Sequence, residues 1–132
     1  MEKQGHKKRD IRFFSNKNDC MMTVHSKEAK KYADNLEEDE KVKGYQTNVP
    51  LVNFRDKISL IDIRKSYQQS EWTSDFMLIM PDDSVAIREV FTYDDLKQRA
   101  PIERMELSRR YWKAAHVTDW GIVLVKKEER AW

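Results

Sequence analysis

Two apolar runs, over 72–80 and 85–90, flank a polar segment near the middle of the chain. The segment between them, Pro81-Asp82-Asp83-Ser84, is rich in turn-forming residues, so the pattern predicts a β-hairpin. Asp75 lies at the head of the first run and Glu89 lies inside the second. Antiparallel pairing around residues 82–83 places position 75 opposite position 90 or so, which brings the two carboxylates close together. Two carboxylates at one level of a hairpin can hold a divalent cation.

Two elements are predicted before this hairpin. Weak alternation over 11–25, interrupted by the turn-forming residues 16–19, indicates a smaller hairpin. Ser26 is a good helix N-cap, and Glu28 falls in the first turn, where the helix dipole favours an acid. The helix ends near residues 37–40, and its apolar positions have helical spacing: Ala29, Tyr32, Ala33 and Leu36.

The remaining segments complete the predicted fold. Residues 41–51 alternate as a strand, in which Pro50 indicates an edge or a bulge. A further strand is predicted at 58–63, a helix at 101–115 with Pro101 in its first turn, and a strand at 119–125. The last strand is apolar on both faces, which predicts a central position in the sheet. The order of elements predicts an α/β fold, with a mixed central β-sheet flanked by α-helices.

Composition limits the classes of protein that this sequence can belong to. The chain has 132 residues, which fits one domain over 1–132, with a basic flexible arm at 1–10 and a charged tail at 126–132. The net charge is only +2, so any nucleic-acid contact must come from local clusters. The single cysteine excludes an intramolecular disulfide. Because the sequence has neither a signal peptide nor a run of roughly 18 apolar residues, we expect a cytoplasmic bacterial protein with no membrane contact, associated with the nucleoid when active.

Three acids on three elements are the candidate chemistry. Glu28 heads a helix, whereas Asp75 and Glu89 lie on neighbouring strands, and the three could converge at one end of the sheet. Magnesium prefers such hard oxygen ligands and keeps several waters. Spacing alone is a weak signal among 23 acids, and the alternative for each is an exposed or capping carboxylate. That alternative is weakest for Glu89, because an unpaired charge in a buried strand is costly.

Several motifs, taken in order, resemble a known family. They are Trp72-Thr73-Ser74-Asp75-Phe76, Ala86-Ile87-Arg88-Glu89, Glu106-Leu107-Ser108-Arg109-Arg110-Tyr111-Trp112 and Asp119-Trp120-Gly121-Ile122-Val123. Over roughly 23–125 the chain resembles the N-terminal catalytic domain of TnsA, the endonuclease subunit of heteromeric transposases. The resemblance implies a restriction-endonuclease-like core. It also implies magnesium-dependent cleavage of the non-transferred DNA strand at transposon ends, beside a DDE transposase subunit and under an ATPase regulator.

The resemblance also implies roles for individual residues. Glu28, Asp75 and Glu89 match the catalytic acids that hold Mg²⁺, or Mn²⁺ in its place. Gln46 matches a polar position before the family's Pro-Leu pair, and Glu106 matches an acid of the second helix. The sequence departs from the family at Phe91, where a lysine that orients the attacking water is expected.

The departure at position 91 leaves three alternatives. Lys97, on the next element, could reach back to replace the lysine. Otherwise the site binds metal and cuts slowly, or it does not cut. In that last case the chain is a catalytically impaired nuclease-fold module for DNA binding and transposase assembly. A stand-alone nuclease of a mobile element is a further alternative. The family's C-terminal domain, which engages the ATPase, has no counterpart in this sequence, so docking on the transposase is the favoured route.

Basic pairs are the candidate DNA contacts. Arg64-Lys65 and Arg109-Arg110 are predicted to bind phosphates, with a solvated surface as the alternative. Tyr111 and Trp112, which follow the second pair, fit the core face of the helix better than a stacking platform for bases. His25 and His116 have no metal-ligand spacing, and we interpret both as structural.

Overall fold

Within residues 10–126, which the computed structural model describes, a four-stranded mixed sheet organises the chain. The elements in order are β1 (Ile11–Ser15), β2 (Cys20–Val24), α1 (Lys27–Glu38), β3 (Gly44–Pro50), α2 (Phe54–Lys57), α3 (Lys65–Gln68), β4 (Thr73–Ile79), β5 (Val85–Thr92), a 3₁₀ helix (Asp94–Lys97), α4 (Arg99–Ala114) and β6 (Asp119–Val125). The sheet order is β3-β4-β5-β6, with β5 and β6 parallel and the other two pairs antiparallel. The predicted α/β class with a mixed sheet is confirmed. The predicted arm at 1–10 and tail at 126–132 lie outside the described residues, except for residue 10 and residue 126.

Helix α1 covers one face of the sheet. Ser26 caps it as predicted, with its hydroxyl accepting a hydrogen bond from the Ala29 backbone N–H at 3.0 Å. The Tyr32 ring meets the Phe76 ring of β4 edge-on, with the ring centroids 5.0 Å apart. The buried residues of this face come from the helix, the four-stranded sheet, β2 and the segment before β3: Val24, Ala29, Ala33, Leu36, Val42, Tyr45, Phe76, Leu78, Ala86 and Val90.

Helix α4 covers the opposite face. It begins two residues before the predicted start, and Pro101 lies in its first turn, where a missing backbone N–H costs nothing. Its buried side chains pack against Ile87 of β5 and against the segment between β3 and β4. Tyr111 and Trp112 are among those buried side chains, which confirms their predicted place in the core.

The predicted β1–β2 hairpin is present as a separate two-stranded sheet. Two side-chain contacts attach it to β3. The Asn18 side-chain oxygen accepts the Tyr45 backbone N–H at 2.8 Å, and the Asn48 side-chain nitrogen donates to the Thr23 carbonyl at 2.9 Å. The chain therefore enters α1 from a fixed position beside the main sheet.

The prediction of a strand at 58–63 is wrong. The segment is irregular, with Asp62 in the left-handed region at φ 66° and Ile61 72% exposed. Strands β3 and β5 already occupy both edges of β4, so the sheet has no place beside β4 for this segment. Its apolar residues instead pack on the α4 face, where Ile63 is buried.

The predicted central position of β6 is also wrong. β6 forms the edge of the described sheet and pairs with β5 alone. Its apolar residues on both faces have another cause, because helices cover both faces of the sheet. Val123 and Val125 pack on the α1 side, whereas Trp120 packs on the α4 side. β3 forms the other edge, which is one of the two alternatives that Pro50 indicated.

Candidate functional site

The predicted hairpin of β4 and β5 brings Asp75 and Glu89 into contact. Regular pairing of the two strands ends at Phe76 and Arg88. Beyond that pair, the Glu89 carboxylate accepts the Asp75 backbone N–H at 3.0 Å, and the Asp75 carboxylate accepts the Val90 backbone N–H at 2.8 Å. Hydrogen bonds from backbone N–H groups to the two carboxylates thus replace the backbone–backbone hydrogen bonds between the strands at this point. The predicted proximity of the two acids is confirmed.

The β4 strand changes its orientation at Asp75. In a regular strand, positions 74 and 76 would share a face. Here the Ser74 hydroxyl accepts a hydrogen bond from the Trp112 indole of α4 at 2.7 Å, whereas Phe76 packs against α1. The reorientation between these residues places Asp75 where its side chain reaches an open cavity.

Glu89 is enclosed by polar donors rather than open to that cavity. It is 2% exposed, and Ser108 of α4 donates its hydroxyl to the carboxylate at 2.5 Å. The Trp120 indole in turn donates to Ser108 at 2.9 Å. Burial, followed by the charge of Asp75, raises the pKa of Glu89 to about 7, although the hydrogen bond from Ser108 acts in the opposite direction.

A cavity of about 600 Å³ lies between the start of α1, the ends of β4 and β5, the 3₁₀ helix and the start of α4. Glu28 and Asp75 both line it, so the structure brings two of the three predicted acids to one cavity. Glu89 lies behind Asp75 and does not line it. The charged or hydrogen-bonding side chains around the cavity include His25, Glu28, Asn48, Asp75, Asp94, Asp95 and Arg104.

The donor set around the cavity fits a magnesium ion bound mainly by water and substrate. Within residues 10–126, no three His, Cys, Asp or Glu side chains are grouped closely enough to hold a metal by themselves. Mg²⁺ is commonly bound by one or two carboxylates together with waters and substrate phosphates, rather than by a full cage of protein ligands. Glu28 and Asp75 could supply such a pair. One Glu89 oxygen accepts the Asp75 N–H and the other accepts the Ser108 hydroxyl.

The residues predicted as further members of the site lie elsewhere. Gln46 is exposed on β3 beside the first hairpin. Glu106 pairs with Arg109 and Arg110 along α4 and lines a different surface hollow. Lys97 is exposed outside the cavity, with its amine 3.9 Å from the Asp94 carboxylate. In this arrangement Lys97 does not take the place of the lysine expected at position 91.

Of the predicted DNA-contacting residues, two are half-buried and bonded within the fold and two are exposed. Arg64 forms an ion pair with Glu103 of α4, and this contact, chiefly, lowers the pKa of Glu103 to about 2. Arg110 donates to two backbone carbonyls of the irregular segment before α3. Both arginines therefore hold the fold together, whereas Lys65 and Arg109 are exposed. DNA contact by any of the four remains a prediction.

Sequence reasoning missed several polar residues that line the cavity, including Asn48, Asp94, Asp95 and Arg104. Arg104 lies one helical turn before Ser108, which places the two on the same side of α4. Asn48 has a left-handed backbone at φ 55°, a conformation that asparagine adopts more readily than most residues. His25 also lines the cavity and pairs with Asp10 at 2.7 Å.

The sequence matches no known protein-family model and no curated protein. In the part of the chain that the structure describes, no helix is both long enough and apolar enough to span a membrane.

Proposed function

We propose that this protein is a TnsA-like, metal-dependent DNA endonuclease subunit of a heteromeric transposase, which hydrolyses the non-transferred strand at transposon ends. Its partners on this proposal are DNA, a DDE transposase subunit and an ATPase regulator. The observation that carries the proposal is the convergence of Glu28 and Asp75, from two different elements, on one open cavity. The order of the motifs that resemble TnsA is the second support, and the mixed sheet between two helices is compatible with a restriction-endonuclease-like core.

On this proposal, Glu28 and Asp75 hold Mg²⁺, or Mn²⁺ in its place, and Glu89 supports Asp75 from behind. The metal would supply Lewis-acid activation of water and stabilise charge on the phosphate. The hydrogen bond from the Val90 N–H fixes one Asp75 oxygen. Among the described residues no hydrogen bond to the other Asp75 oxygen is present, which leaves that oxygen for a cation.

The test is the substitution Asp75→Asn. Asparagine can still accept the Val90 N–H through its carbonyl oxygen, so the fold should persist while the charge is lost. Nicking of a supercoiled plasmid that carries the transposon ends should fall at least a hundredfold with Mg²⁺ or Mn²⁺. The assay is run on the protein alone and together with the transposase subunit. Calorimetric titration with Mn²⁺ measures metal binding as a second readout.

Glu38→Gln is the matched control, because it removes one carboxylate from an exposed position at the other end of α1. It should cut and bind metal like the unchanged protein. Cleavage by Asp75→Asn at the unchanged rate would refute the assigned site.

A second candidate function is a nuclease-fold module that binds DNA and assembles the transposase without cutting. The enclosure of Glu89 favours it, because both carboxylate oxygens already have partners inside the protein. Phe91 favours it too, since phenylalanine cannot orient water. Absence of both Mn²⁺ binding and nicking by the unchanged protein, with and without the transposase, would support this function over the first.

A further inference from the structure

Arg104 is a basic side chain at the cavity to which the proposed metal site assigns no role. It lies on the second turn of α4, half-buried, and lines the same cavity as Glu28 and Asp75. Its guanidinium carbon lies 5.0 Å from the centroid of the Phe91 ring. Among residues 10–126 it forms no ion pair, so its charge has no carboxylate partner in that part of the chain.

The charge around the cavity gives this arginine its significance. Four carboxylates line the space: Glu28, Asp75, Asp94 and Asp95. Asp75 accepts the Val90 N–H and Asp95 accepts the Thr92 N–H, both at 2.8 Å, and Asp94 lies beside Lys97. A phosphodiester that enters such a space meets repulsion from these carboxylates, which a nearby cation would offset. Apart from His25, Arg104 is the basic side chain among the described residues that line it.

We propose that Arg104 binds a non-bridging phosphate oxygen of the DNA strand that enters this cavity. A guanidinium presents a planar fork of donors that matches phosphate geometry, and it remains charged at any working pH. The Phe91 ring supports the guanidinium from one side by a cation–π contact, which limits its freedom without consuming its N–H donors. Phe91 thus stands where the family has a lysine, and the positive charge comes from the neighbouring helix instead.

This inference rests on the proposed function for its ligand, and DNA binding tests it separately from cleavage. The measurement is fluorescence anisotropy of a labelled duplex carrying a transposon end, with Ca²⁺ in place of Mg²⁺, over a series of salt concentrations. Arg104→Gln should weaken binding about tenfold at low salt, because one charge-assisted phosphate contact is lost. It should also reduce the slope of log affinity against log salt by about 0.9, the value for one phosphate contact.

Two further variants separate phosphate binding from a structural role. Lys41→Gln removes one positive charge beyond the far end of α1 and should change neither value. Arg104→Lys keeps the charge and should keep the salt slope while losing part of the affinity. If the arginine only stabilised Phe91, Arg104→Gln would lower the melting temperature and leave the salt slope unchanged.

The outcomes separate this inference from the endonuclease function. Weaker binding with a smaller salt slope supports Arg104, and if the unchanged protein binds yet never nicks, the endonuclease function fails while this inference stands. Unchanged affinity and slope in Arg104→Gln overturns the inference, whether or not the protein cuts. Absence of DNA binding by the unchanged protein overturns both.

Discussion

Replacing Glu89 by Gln should make the metal-free protein more stable at pH 8, although it alters a buried, fully hydrogen-bonded side chain. Glutamine can accept the Asp75 N–H as the carboxylate does. Its amide can donate to Ser108, whose hydroxyl can turn toward the Ser74 hydroxyl 3.2 Å away. The substitution therefore removes the ionisable group and keeps the shape of the cluster, with the hydrogen bond to Ser108 reversed in direction.

The magnitude follows from the raised pKa of Glu89. Its pKa in the folded protein is about 7, against an ordinary value of 4.5. Below pH 4.5 the group is protonated in both the folded and the unfolded state and has no effect. As the pH rises from 4.5 through 7, the unfolded chain loses the proton first, so the folded state is progressively destabilised. At about 1.4 kcal/mol for each pKa unit, the full cost above pH 7 is about 3 kcal/mol.

The assay is urea unfolding followed by tryptophan fluorescence, at pH 5 and at pH 8, with a chelator present. The difference in the free energy of unfolding between Glu89→Gln and the unchanged protein should grow by about 2 to 3 kcal/mol between these two pH values. Glu38→Gln removes the same charge from an exposed site and corrects for the change in net charge. A difference for Glu89→Gln that is the same at pH 5 and pH 8 would refute the raised pKa.

Two further predictions concern residues that hold the site in place. Ser26→Ala removes the N-cap of the helix that carries Glu28 and should lower the free energy of unfolding by about 1 kcal/mol, measured by urea denaturation. The control is Ser66→Ala, at an exposed serine that does not cap this helix, which should lower it far less. Equal losses in the two variants would contradict the capping role. The pKa of Glu103 is lowered to about 2, chiefly by its hydrogen bond from Arg64, so its contribution to stability is complete above about pH 5 and is lost as the pH falls toward 2. Glu103→Gln should therefore lose less stability than the unchanged protein between pH 5 and pH 2 in the same assay, and parallel losses would count against this ion pair.

Local patterns predicted most of the fold because they reflect local physics. The Ser26 cap, the turn before Val85 and Pro101 each act within a few residues, and all three lie where the sequence indicated. The errors at 58–63 and at β6 are of another kind. An apolar pattern indicates that a segment is buried, but it does not indicate whether a neighbouring strand or a packed helix buries it.

The same limit applies to the candidate site, where the local features were predictable and those that depend on tertiary contacts were not. The meeting of Asp75 and Glu89 follows from hairpin register, which is a local property. Which of the two carboxylates faces the cavity depends on the reorientation of β4 at Asp75, and that depends on contacts with two helices far away in sequence. Arg104 was not predicted for the same reason, because its cation–π contact with Phe91 forms only when α4 packs on the sheet.

The burial of Glu89 bears on the choice between the two proposed functions. In the metal-free protein its ionised form lowers stability, and a glutamine could accept the Asp75 N–H and donate to Ser108 without that cost. An ionisable group at this position therefore needs a reason other than folding. A divalent cation held at Asp75 would favour the ionised form of Glu89 directly behind it and would turn the cost into an attraction. On the metal-dependent proposal this attraction gives the acid a role that glutamine could not take, whereas the module that only binds DNA assigns it none.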